Sequence, residues 1–185
     1  ESMNAKPMNV SIAEDVHEMR FDRANVAWIE HRDKFRYVVQ THPFTESRRQ
    51  PQGGNTAIPG HFVEMLCDLL PENRNRLRFR YLGPIAGQGL VMALIAGDGT
   101  RQGLVWVDEA TKQVLRIRTD TLRHPEAEKF ESFTRDVRFV PLNISASGTT
   151  LTLPWRATVH IRFAEGELHD VHRFSDYQVD GVAAR

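Results

Sequence analysis

Residues 102–120, QGLVWVDEATKQVLRIRTD, carry two apolar runs on either side of a short polar connector, and how they pair decides the fold. In VLRIRT, Leu115 and Ile117 alternate with Arg116 and Arg118, the two-residue period of a strand that buries one face and wets the other. LVWV at 104–107 is apolar at every position, as in a strand covered on both sides. DEATKQ between them has the length and polarity of a connector between antiparallel neighbours. The stretch is therefore a hairpin.

The same pattern extends outward. LVMALIA at 90–96 joins this hairpin through GDGTRQG, whose Asp98-Gly99 pair is a turn signal. Before it, RLRFRYL places Leu77, Phe79 and Tyr81 on one face and Arg76, Arg78 and Arg80 on the other. These strands form a meander. The C-terminal third repeats the theme in ESFTRDVRFVPLNI, TTLTLP, RATVHIRF and LHDVHRFSDYQV, with Ala157, Val159, Ile161 and Phe163 facing opposite to Arg156, Thr158, His160 and Arg162.

Two early strands are expected in HEMRFDRANVAWIEH and KFRYVVQTH, joined near HRDK. Thr41 to Gly60 is rich in Gly, Pro and Arg and reads as a mobile loop. After it Pro59 and Gly60 open a helix that carries Phe62, Met65, Leu66, Leu69 and Leu70 on one stripe, and Pro71 ends it. A weaker helix is expected over NVSIAEDVHEMR, where Val10, Ala13, Val16 and His17 share a face. The expected fold class is α+β: a strongly curved antiparallel sheet, a half or incomplete β-barrel, of about nine or ten strands with one or two helices packed on its concave side.

A chain of 185 residues is read as one domain over 1–185, with 1–9 flexible, and it is long enough to bury roughly two-thirds of its unfolded surface without a metal or disulfide. Its 24 basic and 24 acidic side chains balance, so no net field gathers nucleic acid or anionic membrane. Cys67 has no second cysteine to pair with and sits in the apolar run HFVEMLCDLL as a buried thiol. No run approaches the roughly 20 apolar residues of a membrane span. The opening ESMNAKPMNV lacks the apolar core of a signal peptide, as a mature exported chain would.

The helix ending LCDLLP, the strand RFRYLG, the hairpin GLVWVDEATKQVLRIRTD and the segment VHRFSDYQVDGV together resemble the curved-sheet superfamily of bacterial lipoprotein carriers and periplasmic sensors (LolA/LolB/RseB-like). Within it, the chain looks closest to exported bacterial proteins of unassigned function. The resemblance spans Met19 to Val182. It implies a periplasmic or otherwise exported half-barrel that binds rather than catalyses. The implied partner is a lipid or acyl chain, or a lipoprotein or peptide segment, with possible peripheral association with the envelope and no cofactor.

On that resemblance the ligand-binding candidates are the helical stripe Phe62, Met65, Leu66, Leu69 and Leu70 as a lid. Leu77, Phe79, Tyr81, Trp106, Leu115, Ile117, Val159 and Ile161 form the trough beneath it. The competing reading is that lid and trough pack into a dry core, since an apolar stripe buries area at roughly 25 cal/mol per Å². The chain is then an interaction or envelope-sensor domain that binds through a strand edge or its arginine-rich face.

Other constellations carry less. His169 and His172 are three apart, and in a strand that spacing points them to opposite faces, so no metal site is assigned to them. The arginine rows at 76, 78, 80 and at 116, 118 read as a solvated face interleaved with acidic neighbours, and Trp28, Trp106 and Trp155 as strand-borne core. His172, Ser175 and Asp176 lack a nucleophile elbow and an oxyanion loop, so no catalytic residue is assigned.

Overall fold

The computed structural model describes residues 9–41, 44–49, 76–121, 130–144, 149–180 and 182–183. They form eleven strands: β1 (Asn9–Asp22), β2 (Ala27–Thr41), β3 (Phe44–Arg49), β4 (Leu77–Ile85), β5 (Gly89–Ala96), β6 (Arg101–Val107), β7 (Val114–Thr121), β8 (Phe130–Ile144), β9 (Thr149–Phe163), β10 (Gly166–Val179) and β11 (Val182–Ala183). All pairings are antiparallel, in the order β3-β2-β1-β10-β9-β8-β7-β6-β5-β4, with β11 against the end of β10. Among the described residues the sheet is open, and β3 and β4 are its edges.

The meander from β4 to β7 follows from the sequence pattern. Asp98 accepts from the Thr100 N–H at 2.9 Å, and Gly99 takes the positive φ that the turn needs. Asp108 does the same work in the next connector, accepting from Thr111 N–H at 2.7 Å and Ala110 N–H at 3.1 Å. These backbone bonds hold both carboxyls below their ordinary range.

The α+β expectation is corrected: the described residues are all β, in one open sheet, with no helix on either face. The segment expected as the weaker helix is β1. Val10, Ile12, Glu14 and Val16 are buried at alternate positions, the period of a strand rather than of a helical stripe. The helix expected after Pro59, with Phe62, Met65, Leu66, Leu69 and Leu70, lies outside the described residues, as does Cys67. The early strands turn at Arg23–Val26, not at HRDK, because Asp22 caps that corner by accepting from Ala24 N–H at 2.8 Å. Of the segment expected as a loop, Phe44–Arg49 pairs with β2 instead. TTLTLP and RATVHIRF are one strand, β9, interrupted by a bulge at the Pro154-Trp155 step.

One face of the sheet carries the core. Its main cluster runs from Val10 and Ile12 on β1 through Phe174, Tyr177 and Val179, Ala157, Val137 and Phe139, Ile117, Val105, and Leu94 to Leu77 on β4. A second cluster, Val159, Ile161 and Leu168, continues the same face at the other end of β9 and β10 and is flanked by Phe130, Phe133 and Phe163.

Gly103 sits in β6 between Leu94 and Thr119, and a Cβ there would collide with the carbonyl oxygen of Arg118. Gly103→Ala should therefore lower unfolding free energy by roughly 1–3 kcal/mol in urea titration, by forcing the β6–β7 ladder apart.

Candidate functional site

Strand alternation divides the expected ligand residues between two faces. Leu77, Ile117, Val159 and Ile161 are buried on the core face. Phe79 and Tyr81 share that face through their partners Leu94 and Met92, yet exposure climbs along the strand from 6% at Leu77 to 43% at Phe79 and 59% at Tyr81. Half-buried Leu90 and Met92 lie beside them against the main cluster. Among the described residues the apolar face thus remains open where it reaches the edge strand β4.

Trp106 and Leu115 lie on the opposite face. A bulge that pairs Val107 with Val114 but Trp106 with Arg116 removes Leu115 from the alternation that would have set it beside Ile117. Both residues line a hollow of about 440 Å³ with Gln88, Arg116, Arg138, Phe139 and Trp155. Trp106 Nε1–H donates to Gln88 Oε1 at 3.1 Å, and the Arg116 guanidinium stacks 4.5 Å from the Trp106 ring centroid. Arg116 Nε also donates to both oxygens of Asp136, at 2.9 and 3.0 Å, which raises the arginine pKa. The arginine row is thus partly neutralised in place: Arg118 lies 3.6 Å from Asp120. Trp28 and Trp155 are 54% and 41% exposed, so only Trp106 fits the expectation that the tryptophans are core.

A buried polar group interrupts the core face where β1 meets β10. Glu14 and His172 are each 2% exposed, and the imidazole Nδ1–H donates to Glu14 Oε1 at 2.7 Å. Asp170, on the same side of β10 and opposite Glu18, is equally buried, and its Oδ1 has no hydrogen-bond partner. Burial is the main reason its pKa rises to about 6; His172 opposes the rise and Glu18 adds to it. Tyr177 donates its hydroxyl to the Pro154 carbonyl, and burial and the Glu14 charge push its pKa up. No sequence period marks this group, because Glu14 and His172 are 158 residues apart.

His169 and His172 fall on opposite faces of β10, as alternation requires; His172 is buried and His169 half-buried. Ser175 and Asp176 are exposed at a bulge. Among the described residues no helix is long and apolar enough to cross a membrane.

No family model matches the sequence. No curated protein matches it either. Among solved structures, the chain is similar to the crystal structure of a DUF1329 family protein from Desulfovibrio piger, with a TM-score of 0.42 and 9% identity over 96% of this chain and 87% of that chain.

Asp170 ties stability to pH. Its folded pKa of about 6 lies above the ordinary aspartate value of 3.8, so the folded state holds the proton more tightly than the unfolded chain. That stabilisation is fully present below about pH 4 and is lost as pH rises through about 6. Asp170→Asn, which stays neutral, should gain stability relative to wild type on going from pH 4 to pH 7.5, by on the order of 3 kcal/mol. Urea unfolding at the two pH values checks this; a pH-independent difference would contradict it.

Proposed function

We propose that this chain is a non-catalytic binding domain that takes up an apolar ligand, a lipid or acyl chain, on the core face of its sheet beside β4. The extracytoplasmic setting implied by the sequence resemblance belongs to the same proposal. The observation that carries it is the row Leu77, Phe79, Tyr81: one face of one edge strand, buried at its start and open at two aromatic rings. Aromatic rings held open beside an apolar cluster mark a binding surface more readily than a scattered exposed side chain does. An acyl chain laid along Phe79, Tyr81, Leu90 and Met92 would extend the core past the last strand. The Tyr81 hydroxyl supplies a polar contact for a headgroup at the rim.

One observation favours a second reading. β4 is the end of the sheet order, so a peptide strand adding to it would continue the ladder, as in β-augmentation. The two readings differ in what recognises the ligand: side chains of one face in the first, main-chain groups of the edge in the second.

The double variant Phe79→Ser/Tyr81→Ser removes two exposed rings. It should weaken binding of a fluorescent fatty-acid probe at least about tenfold, which corresponds to about 1.4 kcal/mol. Unfolding free energy should change little. Probe affinity equal to wild type, or no uptake by the wild type, would overturn the ligand reading. Peptide-dependent amide protection of β4 in both proteins would favour the edge reading.

A further inference from the structure

We infer that His160, Glu167 and His169 form a binding site for a divalent transition-metal ion, of the zinc, copper or nickel type, on the face of the sheet opposite the core. The three side chains sit at three corners of a cross-strand square. His160 on β9 is the direct partner of His169 on β10, and Glu167 lies two residues before His169, on the same face. Exposed Arg162, opposite Glu167, occupies the fourth corner.

The geometry is that of a clamp closing on one point. One Glu167 oxygen lies 3.4 Å from His160 Nε2, and the other lies 3.8 Å from His169 Nε2. The three ligand atoms all lie within 4.8 Å of one another. Ligand atoms about 2.0–2.1 Å from a tetrahedral zinc ion are about 3.3 Å apart, so closure needs shifts that side-chain rotation supplies. The imidazoles are stacked with centroids 3.9 Å apart and planes 21° from parallel. Tilting the two rings together at their Nε2 edges would turn the stack into a chelate.

The surroundings suit a metal better than a plain ion pair. One carboxylate set between two imidazole Nε2 atoms is more than a single histidine salt bridge requires. Trp28 lies 6.1 Å from the His169 ring and Phe21 lies 5.2 Å from Trp28, so an aromatic wall flanks one side. All three ligands remain about one-third exposed, which leaves an entry path and coordination positions for water. Two imidazoles and one carboxylate favour borderline ions over calcium or magnesium.

The test is titration of the tag-free chain with Zn²⁺ by calorimetry, and with Co²⁺ followed by its visible ligand-field bands. Wild type should bind one ion per chain, with histidine-type Co²⁺ bands. His160→Gln and Glu167→Gln should each weaken Zn²⁺ binding at least about tenfold. His31→Gln, an exposed histidine paired with Asp33 on β2, should leave it unchanged. Two independent variants, both half-exposed, guard against a loss caused by unfolding, which thermal melts of each would reveal. Absence of stoichiometric Zn²⁺ binding by the wild type, or equal affinity in folded His160→Gln and Glu167→Gln proteins, overturns the assignment.

Discussion

The ladder between β1 and β10 is the constraint on which the rest of the described sheet depends. From β4 to β10 the chain is a simple meander, each strand pairing with the next. The N-terminal hairpin of β1 and β2, with β3 beyond it, joins the strand order of that meander through β1, in a register that runs from Val10 with Val179 to Asp22 with Gly166. Loop closure over so long a separation is costly in entropy, so the junction needs interactions that fix register as well as area. The buried Glu14–His172 hydrogen bond does this. A one-residue slip of β1 would turn Glu14 to the face opposite His172 and break their contact. Gly166 serves the same junction at its far end, since a Cβ there would meet the carbonyl oxygen of Phe21.

With the register set, alternation separates two surfaces of different chemistry. Among the described residues the core face is mainly apolar from β1 to β4; its buried polar residues are Glu14, Asp170 and His172 at the β1–β10 junction and Thr119 and Arg135 on β7 and β8. The opposite face bears polar pairs, across strands for Arg116 with Asp136 and His160 with Glu167, and along one strand for Arg118 with Asp120 and Glu167 with His169. Apolar ligand and metal ion are therefore assigned to opposite sides of one sheet. Neither assignment requires that a residue of one serve the other.

Where local pattern and tertiary position agree, the sequence is legible. Leu77, Phe79 and Tyr81 fall on one face of β4 as alternation puts them, because nothing interrupts the period from Leu77 to Tyr81. Legibility fails where a bulge or a distant partner intervenes. Leu115 is lost to the bulge opposite Trp106, and the Pro154-Trp155 step hides that β9 is continuous. β1 is misread as a helix because Glu14 occupies a buried position that an apolar residue would normally mark, and its partner His172 is far away in sequence. The histidine and glutamate trio was within reach. A two-residue hairpin at Ala164-Glu165 pairs Phe163 with Gly166 and so brings His160 opposite His169. Three residues apart on one strand, His169 and His172 face opposite ways, and the imidazole beside His169 comes from the neighbouring strand.

The central claim is that the open end of the apolar face, beside β4, receives an acyl chain. Titration of the isotope-labelled protein with a fatty acid, followed by methyl and aromatic NMR, tests it most directly. The account predicts shifts concentrated at Phe79, Tyr81, Leu90, Met92 and Leu94, with Trp106 and Trp155 on the opposite face little changed. Shifts centred on the Trp106 and Trp155 hollow, or none at saturating ligand, would contradict it.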